Sequence, residues 1–381
     1  MTRQTTPGAR FEARPPSPVT PMTGNTLLLL RALGLAAALL AALFAAGCAV
    51  SDFDYAEAAR VTEVTRGSVL ANLNLGSGLE DRILALDPNH ISTKEVKEVL
   101  SHAPAPRIIN IYGGLPTVYP QMESFSKFLI GMGYPENRIR NPRDGTYAYS
   151  PYKSAEELAG IAAWYYEKEG MQPMIVGHSQ GGMQAIKVLY ELSGALSGHL
   201  HQWDPITESQ GDDYVVDPVT GLRRPVVGLR LSFVTGVGSG GPTRLLPNQW
   251  VMAGKLRRIP NTVEEFTGFY MHGDILGGDD LGFGSGNKYV SIGSAKVRTV
   301  LLPFGYDHVF VPFTSHLARH AETRDWINDY LQTDEPVLEH EFNVPSANIL
   351  WAADVWTSVK RHWCIELQRL IRAKRMMRNG A

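Results

Sequence analysis

The chain has 381 residues, 44% of them hydrophobic, 19% charged and 9% aromatic, which excludes a disordered chain, a collagen-like repeat and a coiled coil. Lysine plus arginine number 36 against 38 aspartate plus glutamate, a formal charge of −2, so no bulk basic character points to a nucleic-acid partner. Two cysteines are too few for a disulfide scaffold, and stability has to come from a packed core.

In chain order, a segment rich in Pro, Thr and Arg (residues 2–21) leads into the apolar residues Thr26–Leu30, and after Arg31 the stretch Ala32–Ala46 carries no charge. Such a run falls short of the roughly 20 residues of a membrane helix and suits the core of an export signal. It closes Ala45-Ala46-Gly47-Cys48, small residues directly before a cysteine, which resembles the bacterial lipobox. That resemblance implies lipidation of Cys48 and an exported cell-envelope lipoprotein, held to the membrane by its N-terminal lipid and facing the periplasm or lying in the outer membrane. A plain secretory signal and an uncleaved anchor are the alternatives, and Met22 would open a more ordinary signal than Met1. Removing residues 1–47 would leave 334 residues with a formal charge of −5 and Cys364 as the remaining thiol. Residues 48–78 read as a tether and N-terminal extension.

Ser92-Thr93-Lys94-Glu95 has capping-box spacing and predicts a short helix to about Leu100. From there strands and helices alternate. Arg107–Tyr112, Pro173–Val176, Gly228–Thr235, Phe266–His272 and Val297–Phe304 read as strands, the first a short, mainly apolar run. Met122–Met132, Ala155–Gly170, Gly182–Leu192 and Ala321–Leu331 have helical periodicity. This predicts an α/β fold over residues 79–335, a mostly parallel central sheet with helices on both faces. Residues 197–225 are polar and turn-rich, a connection long enough to act as a lid-like flap. Asn248–Asn261, with Trp250, Val251 and Met252, could complete that cover.

Gly177-His178-Ser179-Gln180-Gly181-Gly182 joins one of these strands to the next helix. This is a G-x-S-x-G nucleophile elbow in its expected strand–turn–helix setting. Flanking glycines permit the tight turn, the serine hydroxyl stands above the sheet, and the helix N-terminus offers amides to a developing oxyanion.

On these residues the chain resembles the α/β-hydrolase family, and GHSQGG is similar to its bacterial lipases and esterases, over about residues 107–331. The resemblance implies a Ser-acid-His triad in that chain order and an oxyanion hole shared between two loops. Ser179 is then the nucleophile. Gln180 would give one oxyanion amide, and Gly114 or Leu115, in the Tyr112-Gly113-Gly114-Leu115-Pro116 loop, the other. Asp274, just past Phe266–His272, is the preferred acid, with Asp279 and Asp280 as competitors. His308 follows the last strand and is the preferred base, with His316 as its rival. His178 is expected to pack or bond locally, away from the serine. No metal or organic cofactor is called for.

Residues 336–381 read as a C-terminal helical extension, with Trp351, Trp356 and Trp363 followed by Arg369, Arg372, Lys374, Arg375 and Arg378. It is expected either to dock by its tryptophans or to lie on an anionic membrane surface. The expected activity is hydrolysis of a carboxylic ester or lipid through an acyl-enzyme, with no nucleic-acid partner and no obligatory protein partner evident. The alternatives are a thioesterase, amidase or acyltransferase on the same triad, or an inactive hydrolase-fold interaction protein in the envelope.

Overall fold

Five apolar runs pair side by side into one parallel sheet: β1 (Ile108–Ile111), β2 (Met174–His178), β7 (Leu231–Val237), β9 (Val263–Met271) and β11 (Lys296–Leu302), in the order β1-β2-β7-β9-β11. These strands belong to a computed structural model that describes residues 70, 73–240, 247–277 and 288–379. The signal, Cys48, Asp279 and Asp280 lie outside the described residues. Parallel strands need crossovers. α1 (Ser77–Leu84) and α2 (Thr93–Glu98) precede the sheet, α3 (Tyr119–Gly131) and α4 (Ala155–Glu169) lie between β1 and β2, α5 (Gln180–Leu192) lies between β2 and β7, and α6 (Ala321–Asn328) and α7 (Ile349–Asn379) follow the sheet.

Alternation along the strands sorts the core into two layers. Ile108, Met174, Val176, Phe233, Phe269 and Val300 pack with α3, α6 and α7. Ile109, Ile111, Ile175, Val234 and Phe266 pack with α4 and α5 on the opposite face. Both faces are covered, so β1, β2 and β7 are buried end to end. The predicted capping box is present: Glu95 N–H donates to the Ser92 hydroxyl at 3.3 Å and Ser92 N–H to the Glu95 carboxylate at 2.8 Å. Ser154 caps α4 in the same way, accepting from Glu157 N–H at 3.0 Å.

Three local expectations change. A helix that was not expected, α1, starts in the last two residues of the segment assigned to the tether and buries Glu80 and Ile83. The supposed C-terminal extension is a main wall of the core. Trp351, Trp356 and Trp363 on α7 are fully buried, and its basic end is taken up at home, Lys374 and Arg375 by Glu80 and Arg375 also by Asp81. Met376 and Met377 near the end of α7 stay exposed, and among the described residues no helix is long and apolar enough to cross a membrane. The 197–225 insertion folds as two small hairpins, β3 (Trp203–Asp204) with β4 (Ser209–Gln210) and β5 (Tyr214–Val216) with β6 (Arg223–Pro225). They clamp α4: Gln202 and the Val216 amide donate to Glu167, and Tyr166 donates to Asp217 at 2.8 Å. The insertion is a brace on that helix, because its polar turns find their partners there rather than around Ser179. A last pair, β8 (Arg258–Ile259) with β10 (Val290–Ser291), lies apart from the main sheet.

α7 runs against the strand direction. Its start meets Tyr306 beyond the end of β11, where Leu350 N–H donates to the tyrosine hydroxyl at 3.0 Å. Its later turns reach the beginning of β2, where Gln172 N–H donates to Glu366 at 2.6 Å. The loops at the C-terminal edge of the sheet are thereby left free to form a site.

Candidate active site

β2 ends at His178 and α5 begins at Gln180, so Ser179 is the whole connection. It holds φ 54° and ψ −121°, a region L-residues rarely occupy, and its N–H is tied to the Val237 carbonyl at 2.8 Å. Gly177 and Gly181 make the turn possible through lack of bulk. A Cβ on Gly177 would run into the Gly181 carbonyl, and one on Gly181 into the Ile111 carbonyl.

Asp274 and His308 arrive from the ends of β9 and β11. The His308 Nδ1–H donates to Asp274 Oδ2 at 2.8 Å, since a carboxylate oxygen can only accept. That leaves Nε2 with its lone pair, and Ser179 donates its hydroxyl to it at 2.9 Å. The second oxygen of Asp274 accepts from Gly277 N–H at 2.7 Å, so the buried carboxylate is held at both ends. Asp307 steadies the histidine loop by accepting from the amides of Val309 at 2.8 Å and Phe310 at 3.2 Å. His316 lies instead in a 3-10 turn, Ser315–Ala318, that packs against α3, and its ring stacks on Phe313.

The expected oxyanion donors also converge. Among the described residues, no hydrogen bond engages the amide N–H groups of Gly114, Leu115 or Gln180. Gly114 sits so close to the Gln180 side chain that a Cβ there would collide with it. The Tyr152 hydroxyl donates to the Gly114 carbonyl at 2.6 Å. In a trans peptide the N–H points opposite the carbonyl, so this bond turns Leu115 N–H away from Tyr152. With Gln180 at the first position of α5, the helix dipole adds to the positive potential there.

Two contributors escaped the sequence reading. Tyr152 carries no motif and reaches Gly114 only through the tertiary fold. His178 does not bond locally: its Nε2–H donates to the main-chain carbonyl of His308 at 2.6 Å. No motif ties His178 to a residue 130 positions further along the chain.

The rim is apolar. Ile275 and Leu276, next to the acid, are 62% and 51% exposed, and Phe304 and Phe310, flanking the base, are 83% and 56% exposed. No protein-family model matches the chain, and no curated protein matches it.

Proposed function

We propose that the protein is a serine hydrolase of carboxylic esters, built on an α/β-hydrolase arrangement, with Ser179 as nucleophile, His308 as base and Asp274 as the acid that orients it. The observation that carries the reading is the continuous hydrogen-bonded chain from Asp274 through His308 to Ser179, with the serine held at positive φ between a strand and a helix. A structural serine has no need of such backbone strain or of a paired histidine above it.

The chemistry follows from the donors and acceptors. His308 Nε2 takes the Ser179 proton as Oγ attacks the ester carbonyl. The oxyanion forms where the Gln180 amide and one of Gly114 or Leu115 point, and these donors need no reorganisation because nothing else engages them. His308 then protonates the departing alkoxide, leaving an acyl-serine. Water, deprotonated by the same imidazole, releases the acid. Asp274 fixes the tautomer throughout and stabilises the imidazolium.

The exposed rim of Ile275, Leu276, Phe304 and Phe310 favours an acyl or lipid ester over a strongly charged substrate. The signal-like N-terminus and Cys48 fit an exported, lipid-anchored envelope protein. The test is turnover of p-nitrophenyl esters of short and long acyl chains by protein beginning at residue 51, with fluorophosphonate labelling as a second readout. The reading expects hydrolysis and a covalent adduct on Ser179. Absence of both would leave the inactive-scaffold alternative standing.

A further inference from the structure

We propose that His178 is a positioning residue for the base: its imidazole N–H holds the main chain of His308 so that the His308 ring reaches Ser179 and Asp274 together. The inference rests on the catalytic reading of Ser179 and extends it to a residue with no part in the triad.

The geometry is specific. A carbonyl oxygen only accepts, so the 2.6 Å contact from His178 to the His308 carbonyl requires the proton on Nε2. His178 Nδ1 is then an unprotonated nitrogen, buried and without a hydrogen-bond partner. It lies against Gly113 in the oxyanion loop, where a Cβ would come within 3.1 Å of it. The imidazole therefore fills the space between three loops: the elbow, the oxyanion loop and the base loop.

His178 and Ser179 are consecutive. The same strand end presents the nucleophile upward and, one residue earlier, the donor that anchors the base. Any small shift of β2 carries both partners along, so the Ser179–His308 distance of 2.9 Å is kept by a shared support. The His308 loop otherwise depends on the turn capped by Asp307 and on the ring's own bonds.

Charge supports the assignment. The rings of His178 and His308 lie 5.3 Å apart, centroid to centroid. A second imidazolium there would oppose proton uptake by the base. Burial first, and His308 itself second, push the His178 pKa down to about 3, against the partial pull of Asp274 and Asp307. His178 thus stays a neutral donor while His308 gains and loses its proton.

The test uses His178→Phe, which keeps a ring but has no donor, and His178→Gln, which keeps an N–H. Steady-state kinetics on a p-nitrophenyl ester are read beside thermal midpoints and hydrogen–deuterium exchange of residues 305–313. The expected result for His178→Phe is a fall in kcat of about 10- to 100-fold, because a displacement of about 1 Å is enough for that. KM should stay within about threefold. The 305–313 amides should exchange faster, and His178→Gln should regain most of both losses. Unchanged kcat and unchanged exchange in His178→Phe would overturn the proposal. So would equal losses in the two variants tracking a drop in thermal midpoint, since that marks packing alone. If the parent neither turns over ester nor labels at Ser179, the catalytic reading fails. The exchange experiment still decides whether His178 holds the loop.

Discussion

Beneath α7, every buried carboxylate is met by several donors. Glu265 accepts two bonds from Arg361 and one from Ser358, with His362 beside it; Asp354 accepts from Arg298 and Gln332; Glu366 accepts from Arg369 and the Gln172 amide. Around Ser179 the polar groups are arranged otherwise. Three amides engage nothing among the described residues and the serine backbone is strained, while bare buried atoms occur in both regions, His178 Nδ1 here and Glu366 Oε1 and His362 Nδ1 beneath α7. Both regions bury polar atoms against the same sheet. Where several donors meet each carboxylate, the result is a fixed interface whose loss costs stability. Where amides are left open toward a strained serine, the arrangement suits the proposed catalytic role, in which preorganised donors meet a charge that appears only during reaction.

The sharpest way to break this contrast is at the site. Ser179→Ala and His308→Ala should each lower kcat/KM by about 10⁴- to 10⁶-fold in an ester assay, with urea midpoints near the parent's. Asp274→Asn should cost about 10⁴-fold, because the wrong imidazole tautomer is then favoured. His316→Ala should remain within a few-fold of the parent. A large loss in His316→Ala with an active His308→Ala would reassign the base.

The α7 interface should respond the other way. Glu265→Ala strands Arg361 without its partner and should cost about 3–5 kcal/mol in urea denaturation. Trp356→Ala should cost a similar amount, about 3–5 kcal/mol, through the cavity it opens. In both variants the folded fraction should label with fluorophosphonate at the parental rate. Slowed labelling would mean that the two regions are coupled.

Acid separates them further. Burial raises the Glu265 pKa, but the bond and charge of His362, the charge of Arg361 and the Ser358 hydroxyl outweigh it and hold it at about 2, against an ordinary 4.5. A carboxylate depressed in the fold contributes stability above its unfolded pKa, and that stability is lost as pH falls from about 4.5 through about 2. His178 acts in the same direction from pH 6.5 down to about 3, because the unfolded chain takes up that proton first. Asp354 and Glu366, raised mainly by burial, oppose this trend. Urea midpoints measured between pH 7 and pH 3 should therefore fall with acid, and Glu265→Gln should flatten the lower part of the slope. An unchanged slope would remove Glu265 from the account. The smallest effect belongs to neither region. Ser154→Ala uncaps α4 and should cost about 1 kcal/mol, with kinetics unaltered.

Much of this was legible before any coordinates. Each of the five sheet strands overlaps an apolar run, and α3, α4, α5 and α6 overlap helical periodicities, because burial on one or both faces leaves a local imprint on residue type. The elbow was legible for a related reason: a strained turn with close backbone approach admits little besides glycine around Ser179. α1 was missed because its N-cap is Gly76, with no side-chain capping bond to mark its start in the sequence. The C-terminal helix was seen as a helix, and docking by its tryptophans was one of two roles left open, since an apolar stripe cannot reveal what it packs against. Residues 197–225 looked like a flap for the same reason: polarity and turns mark a surface connection and say nothing of where it leans.

Local chemistry thus determined which segments become strands and helices and which serine sits in a strained turn. The tertiary structure decided the partners. His308 and His316 both follow the last strand, and only the path of the 305–313 loop brings one ring between Ser179 and Asp274. Tyr152 on the Gly114 carbonyl and His178 on the His308 carbonyl are likewise products of the assembled sheet edge. The physical reason is range. Periodicity and turn preference act over a few residues, whereas a hydrogen bond across 129 positions exists only after the sheet has set the distance.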